Sequence, residues 1–325
     1  MHGVRAERTI RDMSEKGLRL DDQVVIPVLE QMRRVHRRLL ELLDDLDDGD
    51  WARPTVHRDR DVKDLTAHLL HGSLRRITGL RDRYHRPMPA IGSTADLVDF
   101  IQADNRDFMI GMRRISPTIL RELIARYDPE VIAIFEGLDP YGDGLGVAWA
   151  GQEVSPNWFD IAREYTEKWH HQQQLRDATG RPSLYQPELL EPVLETFARG
   201  LPFAFRDLAL PEGSQIFLNI TDEVDCGWQL RREAAAWTLW RVGGPGELPS
   251  GAGALVLSLA ADAAWRMWTR GLAPGDAKAR VQVVRGSGPP DAASSLASST
   301  ASGPWNNSAV NQAIDAVASF VAIMA

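Results

Sequence analysis

The spacing of apolar residues near the start of the chain restricts the fold more than any other feature. From residue 25 to residue 46 these residues recur in steps of three and four, at Val25, Val28, Met32, Val35, Leu39, Leu42 and Leu46. Such spacing places them along one side of a helix that packs lengthwise in a bundle. The acidic run DDLDDGD that follows predicts the end of this helix, with Gly49 as its stop.

More helices are predicted before residue 182. They cover about Asp61–Tyr84, ADLVDFIQADNRDFMIGMRRI, SPTILRELIARYDPEVIAIFEGL and a stretch that starts at Ser155-Pro156 and carries EYTEKWHHQQQLRDATG. The segment PYGDGLGVAWAGQEVSP before the last helix is interpreted as a Gly-rich loop. We therefore expect a flexible N-terminus over residues 1–20 and a four-helix bundle over residues 21–182.

After Pro182 the residue pattern changes from mainly helical to mixed helical and strand-like. A helix near Pro187–Asp207 is followed by strand-like runs, namely QIFLNIT, GWQLRRE, AAWTLWRV, ALVLSLA and ARVQVVRG, with a short helix DAAWRMWTRGL among them and a last helix NQAIDAVASFVAIMA. This order predicts a small α+β domain over residues 183–325. Residues 286–308 are rich in Ser, Ala, Gly and Pro, which predicts a flexible insertion.

Composition excludes several classes of protein. A net charge of −8 argues against a general nucleic-acid binder, which needs a basic surface. No stretch is apolar enough for a membrane helix, and no secretory signal opens the chain. The single cysteine, Cys226, rules out an internal disulfide, so we expect a cytoplasmic protein. Cys226 itself is interpreted as a structural residue.

Two histidine clusters are candidates for metal binding. Glu167 and His171 are four residues apart on a predicted helix, so their side chains are neighbours and can share one ion. A third ligand, His68 or His71, would come from a facing helix and leave a coordination position open, as in catalytic metal sites. Periodicity alone favours a different interpretation, because the apolar stripe of that helix faces the other way and leaves Glu167 and His171 on a solvated side.

A family resemblance favours the metal site. DRDVKDLTAHLLHG, the upstream DGDWARPT and the later EYTEKWHHQQQLRDATG resemble motifs of the DinB-like superfamily, in its mycothiol-dependent maleylpyruvate isomerase branch. The resemblance spans residues 23–180 and implies that His68, Glu167 and His171 are the metal ligands. Gln174 stands where that branch usually has Asp. The C-terminal part resembles the family's sterol-carrier-like α+β domain in the order of its elements and in AAWRMWTRGL.

The resemblance implies a metal-dependent enzyme that uses a thiol. We expect a divalent ion, zinc first and nickel second, and mycothiol as cosubstrate in the isomerisation or S-transfer of a small electrophilic molecule. As partners we expect a small-molecule substrate and a thiol, and the protein itself as a monomer or a homodimer. Arg270, or Arg266, is a candidate to bind a carboxylate of thiol or substrate. His71 and His170 are interpreted as non-ligands, with His71 on the surface.

Two other functions remain open from the sequence. The metal can instead activate water for ester or amide hydrolysis, with Glu164 as the candidate base, one turn before Glu167. Alternatively, the protein is a non-catalytic carrier or sensor of an apolar ligand. The tryptophans of the C-terminal part are expected in the core or lining such a pocket, and they are Trp228, Trp237, Trp240, Trp265 and Trp268.

Overall fold

The computed structural model of the chain describes residues 8–9, 17–85, 87–234, 236–242, 254–284 and 304–322. These residues divide into two compact units. One consists of the described parts of Met1–Ile26, Asp143–Asp160 and Gln186–Ile323, and the other of Pro27–Gly142 and Ile161–Tyr185. We call the first the sheet unit and the second the helical unit. The described helices include none that is both long and apolar enough to cross a membrane.

The helical unit is built from long helices with clear start signals. They are α1 (Leu29–Asp44), α2 (Val62–Arg76), α3 (Thr94–Met112), α4 (Pro117–Glu136) and the greater part of α5 (Asn157–Thr179). The side chains of Asp61, Ser93 and Ser116 accept hydrogen bonds from the first turns of α2, α3 and α4, which satisfies N–H groups that have no partner within the helix.

Apolar seams hold these helices together. Helix α2 packs against α3 and α4, and α1 packs against α4. Helix α5 is fixed through its polar side chains, since Gln172 donates to the Val35 carbonyl of α1 at 3.2 Å and Arg176 to the Arg38 carbonyl at 3.0 Å. The core contains Leu39, Leu42, Val62, Leu65, Leu70, Leu120, Ile124 and Leu175. The predicted helical bundle is confirmed, with α3 packed on it as an additional helix.

Helix α5 corrects the expectation of a solvated face. His171 is 1% exposed and Gln174 is 3% exposed, and the residues of the opposite stripe, such as Trp169, are buried as well. The helix is therefore enclosed on nearly all sides. Several of its buried polar side chains make hydrogen bonds, among them those of Lys168, Gln172 and Gln173.

The sheet unit holds a six-stranded sheet. Its strands are β2 (Leu18–Arg19), β6 (Gln215–Thr221), β7 (Cys226–Glu233), β8 (Ala236–Val242), β9 (Ala254–Ala260) and β10 (Gln282–Val283), in the order β10-β9-β6-β7-β8-β2. Only the β6–β9 pair among them is parallel. Short strands β1 (Arg8–Thr9) and β3 (Val24–Val25) also pair with each other in parallel.

Helices complete this unit and confirm the predicted α+β class. They are α6 (Pro187–Ala198), α7 (Leu201–Ala204), α8 (Ala261–Trp268), α9 (Pro274–Arg280) and α10 (Asn307–Ser319). Trp228, Trp265 and Trp268 are fully buried and Trp237 is buried, so they belong to the core of this unit. The indole of Trp228 donates to the Glu195 carboxylate at 2.8 Å.

Several boundaries differ from those predicted. The predicted domains, 21–182 and 183–325, are continuous, whereas both compact units are discontinuous in sequence. Within the predicted flexible segment 1–20, Leu18–Arg19 form strand β2 and pair with β8. The expected Gly-rich loop is a hairpin of β4 (Asp143–Val147) and β5 (Gln152–Pro156). Of the predicted insertion 286–308, residues 286–303 lie outside the described residues, and α10 begins at Asn307 with Asn306 as its cap.

Candidate metal centre

Helices α2 and α5 bring together the three residues that the motifs single out. His68 lies near the middle of α2, and Glu167 and His171 lie one turn apart on α5. One potential ligand atom from each residue lies within 4.8 Å of the other two. The imidazole rings of His68 and His171 meet edge to face, with their centroids 4.7 Å apart. Such a cluster is compact enough for its three side chains to bind a single ion.

A hydrogen bond to Gln174 sets the tautomer of His171. The Nδ1 atom of His171 lies 2.8 Å from Oε1 of Gln174, and the Nε2 atom of His57 lies 3.2 Å from the same oxygen. Because an amide oxygen only accepts hydrogen bonds, both ring nitrogens donate to it. A neutral His171 that donates through Nδ1 carries its lone pair on Nε2, which is the form that ligates a metal.

Two buried ring nitrogens of the cluster have no hydrogen-bond partner within the part of the chain that the structure describes. They are Nδ1 of His68 and Nε2 of His171. The nearest carboxylate to the second is Oε2 of Glu167, at 3.4 Å from Nε2. A carboxylate oxygen and an imidazole lone pair that face each other repel unless a cation or proton lies between them. Two imidazoles and one carboxylate are a common ligand set for zinc, so these residues fit a divalent ion.

Electrostatics favours the protonation states that metal ligands need. Burial, followed by the charge of His171, lowers the pKa of His68 well below its usual value. Burial raises the pKa of Glu167, but the neighbouring His171, His170 and Arg163 together outweigh it and lower this pKa. At neutral pH His68 is therefore a neutral imidazole and Glu167 an ionised carboxylate, as metal binding requires.

The neighbouring histidines hold other positions. The Nδ1 atom of His170 donates to the Thr166 carbonyl at 2.8 Å, within α5. His71 corrects the expectation of a surface residue, since it is only 7% exposed. Its ring stacks on Phe108 with centroids 4.4 Å apart, and its Nδ1 lies 3.1 Å from Oδ1 of Asn105. These contacts with α3 explain why His71 is buried. The spacing of residues within α2 could not predict them, because α3 is a separate helix.

The two other predicted site residues lie outside this cluster. Glu164 is buried and accepts a hydrogen bond from Nε of Arg76 on α2 at 2.9 Å, which ties its carboxylate to a guanidinium. Arg270 belongs to the sheet unit, follows α8, is exposed and has a positive φ of 59°. The roles predicted for Glu164 and Arg270 thus stay predictions.

Two residues beside the cluster were not predicted from the sequence. His57 and Arg60 lie in the loop that leads into α2, where His57 contacts Gln174 and Arg60 contacts Gln102. The rings of His57 and His171 are 6.1 Å apart between centroids. Burial and the charges of His171 and Arg60 lower the pKa of His57 to about 4. A loop has no periodicity that relates its side chains to a distant helix, so only the tertiary structure reveals these contacts.

A family profile agrees with the motifs. Residues 32–176 match the profile of the mycothiol maleylpyruvate isomerase N-terminal domain family. A solved structure of a histidine-to-alanine mutant of the mycothiol-dependent maleylpyruvate isomerase is similar at 15% identity over 81% of this chain and 95% of that chain, with a TM-score of 0.46. The structure of the mycothiol-dependent maleylpyruvate isomerase itself is similar at 15% identity over 74% and 88%, with a TM-score of 0.45. No curated protein matches the chain.

Proposed function

We propose that this chain is a metal-dependent enzyme that uses a low-molecular-weight thiol, mycothiol, because residues 32–176 match the profile of the mycothiol maleylpyruvate isomerase N-terminal domain family. Its substrate would be a small electrophilic molecule, and its reaction an isomerisation or an S-transfer. The observation that carries the proposal is the cluster of half-buried His68 and Glu167 with buried His171, in which two buried ring nitrogens lack a hydrogen-bond partner among the described residues.

Each residue of the cluster has a defined task in this proposal. His68, Glu167 and His171 would hold a divalent ion, zinc in the first place. The bound ion would supply Lewis acidity, lowering the pKa of a thiol so that the thiolate forms near neutral pH. Gln174 orients the His171 ring through its hydrogen bond. Burial keeps His68 neutral, and the neighbouring His171, His170 and Arg163 keep Glu167 ionised.

The chain's own thiol does not suit this chemistry. Cys226 is the single cysteine and is buried in strand β7 of the sheet unit. Burial raises the pKa of its thiol, against a smaller opposing effect of Arg241, so Cys226 is protonated at neutral pH. A reactive thiolate would therefore have to come from a separate molecule, as the proposal requires.

The metal site is tested by metal content. We expect the purified protein to bind about one divalent ion per chain, and His171→Ala to lose most of it, because a three-ligand site does not hold its ion well with two. His71→Ala is the matched control, since His71 is also a buried histidine near the site but lies outside the cluster. Elemental analysis of dialysed protein gives the result. A wild-type metal content in His171→Ala would remove His171 from the site.

Thiol dependence separates this proposal from hydrolysis. Carefully desalted, metal-loaded protein should turn over maleylpyruvate only when mycothiol or a similar thiol is added. Glu164→Gln should keep most of this activity, because Glu164 is held by Arg76 and lies outside the cluster. If instead the protein turns over its substrate without thiol, and Glu164→Gln abolishes that turnover, the result would support hydrolysis by metal-activated water. Ligand binding without any turnover would support a carrier or sensor.

A further inference from the structure

Arg60 is a buried arginine with unused hydrogen-bond donors beside the candidate metal centre. It is 6% exposed, and its Nη2 donates to Oε1 of Gln102 on α3 at 3.1 Å. Its Nε and Nη1 are buried and have no hydrogen-bond partner among the residues that the structure describes. The nearest carboxylate, that of Asp59, lies 3.9 Å from Nε on a side chain that is 62% exposed. Burying unpaired donors costs stability, so this arrangement calls for a reason other than folding.

The backbone of the loop holds Arg60 in position. The Arg60 carbonyl accepts hydrogen bonds from the hydroxyl of Thr55 at 2.7 Å and from the Thr55 amide at 3.3 Å, and the Arg60 amide donates to the His57 carbonyl. The same turn presents His57 to Gln174, which in turn contacts His171. The loop is therefore tied to α5 through His57 and to α3 through Arg60. The loop that carries Arg60 is thus held against the helix that carries two of the three candidate ligands.

The charges that act on Arg60 include those of the cluster. Burial lowers its pKa, and the carboxylates of Asp59, Asp64 and Glu167 oppose this effect, while Arg106 adds to it. Burial and His171 lower the pKa of His68, and the charge of Arg60 contributes in the same direction. Arg60 thus interacts electrostatically with two of the three candidate ligands.

We propose that Arg60 binds a carboxylate of the small molecule that the metal centre holds. A guanidinium with free N–H groups on Nε and Nη1 can donate a charge-assisted hydrogen bond to a carboxylate oxygen. The carboxylates of Asp59, Asp64 and Glu167 act on Arg60, and this local negative charge favours a singly charged carboxylate over a doubly charged phosphate. This inference rests on the proposed function for the location of the ligand, but not for the use of a thiol.

The test measures binding of pyruvate, a small monocarboxylate, to the full-length zinc-loaded protein without any thiol. Calorimetry should show that Arg60→Met raises the Kd of pyruvate about tenfold or more, the usual effect of losing a charge-assisted hydrogen bond. Methyl pyruvate, the uncharged ester, should bind both proteins equally, and inorganic phosphate should bind wild type more weakly than pyruvate does. Arg58→Met is the matched control, because Arg58 is an exposed arginine in the same loop and should leave the Kd within about twofold.

A second readout separates ligand binding from a structural role. Because two donors of Arg60 have no partner among the described residues, Arg60→Met should melt at the wild-type temperature or above it. Arg60→Lys should recover part of the pyruvate affinity, since it restores the charge without the planar fork. Zinc content is measured in every preparation, so that loss of metal is not mistaken for loss of the carboxylate contact.

Three results would overturn the inference. They are equal Kd values for wild type and Arg60→Met, an equal loss in Arg58→Met, and a wild type that binds pyruvate no better than methyl pyruvate. Phosphate binding tighter than pyruvate would overturn the choice of carboxylate. Failure of thiol-dependent turnover leaves these measurements unaffected, because no thiol is present, and therefore bears on the proposed function alone.

Discussion

At the scale of single residues, Gln174 has the widest influence on the candidate site. Its side-chain oxygen accepts hydrogen bonds from both His57 and His171. Gln174 thereby connects the loop before α2 to a candidate ligand on α5. The related motif usually has Asp here. Glutamine preserves the acceptor without adding a negative charge next to Glu167, so the cluster keeps a single carboxylate.

Removing this acceptor should weaken metal binding. Gln174→Leu keeps a similar volume but leaves the His171 tautomer unset, and we expect the zinc affinity to fall about 10–100-fold. Gln174→Glu retains an oxygen acceptor and should stay nearer to wild type. Competition with a coloured chelator measures both affinities. Wild-type zinc affinity in Gln174→Leu would show that the hydrogen bond does not orient the ligand.

At the scale of elements, the β4–β5 hairpin depends on one glycine. A Cβ atom added at Gly146 would lie 2.1 Å from the backbone oxygen of Glu153 in the facing strand. No side chain can move away to relieve this contact, because the obstructing atom belongs to the backbone. The hairpin therefore needs glycine at 146 for the close approach of its strands.

Alanine substitutions at two glycines should have opposite effects. We expect Gly146→Ala to reduce the free energy of unfolding by about 1–3 kcal/mol, a typical cost of overpacking. Gly111→Ala, inside α3, has no atom within 4 Å of the new Cβ and should be neutral or stabilise by up to about 1 kcal/mol. Urea unfolding of both variants is the measurement. A Gly146→Ala variant as stable as Gly111→Ala would contradict the close approach in the hairpin.

At the scale of the whole helical unit, a buried polar network links four helices. Lys168 of α5 donates to Asp128 of α4 at 3.0 Å and to Ser73 of α2 at 2.8 Å. Nδ1 of His36 on α1 lies 3.3 Å from the Asp128 carboxylate, and Ser73 also donates to it. Burial raises the pKa of Asp128, but Lys168, His36 and Ser73 outweigh it and lower this pKa to about 2.

Acid should weaken the fold through Asp128. The pKa of its carboxyl falls from an ordinary value of 3.8 to about 2 in the folded protein, so the ionised form stabilises the folded state by about 2 kcal/mol above pH 4. This contribution is lost as the pH falls from about 4 to about 2. The difference in unfolding free energy between wild type and Asp128→Asn should therefore shrink between pH 5 and pH 2.5, as urea unfolding can measure. A constant difference would show that Asp128 does not titrate in this range.

The amino-acid sequence by itself determined the elements that depend on neighbours along the chain. Apolar residues in steps of three and four predicted α1, Asp61 and Ser116 begin helices as caps, and alternating apolar runs predicted strands β6 to β9. The motifs also selected His68, Glu167 and His171, which the structure brings together. These predictions succeed because helix periodicity, capping and i,i+4 spacing are set within a few residues.

The tertiary structure alone decided features that depend on residues far apart in sequence. Strand β2 pairs with β8 more than 200 positions later, with Leu18 opposite Arg241. His57 and Arg60 reach the candidate site from a loop, and the polar side of α5 is buried because the surrounding helices enclose it. Local sequence patterns do not predict such contacts, because burial and long-range strand pairing depend on which distant segments pack together.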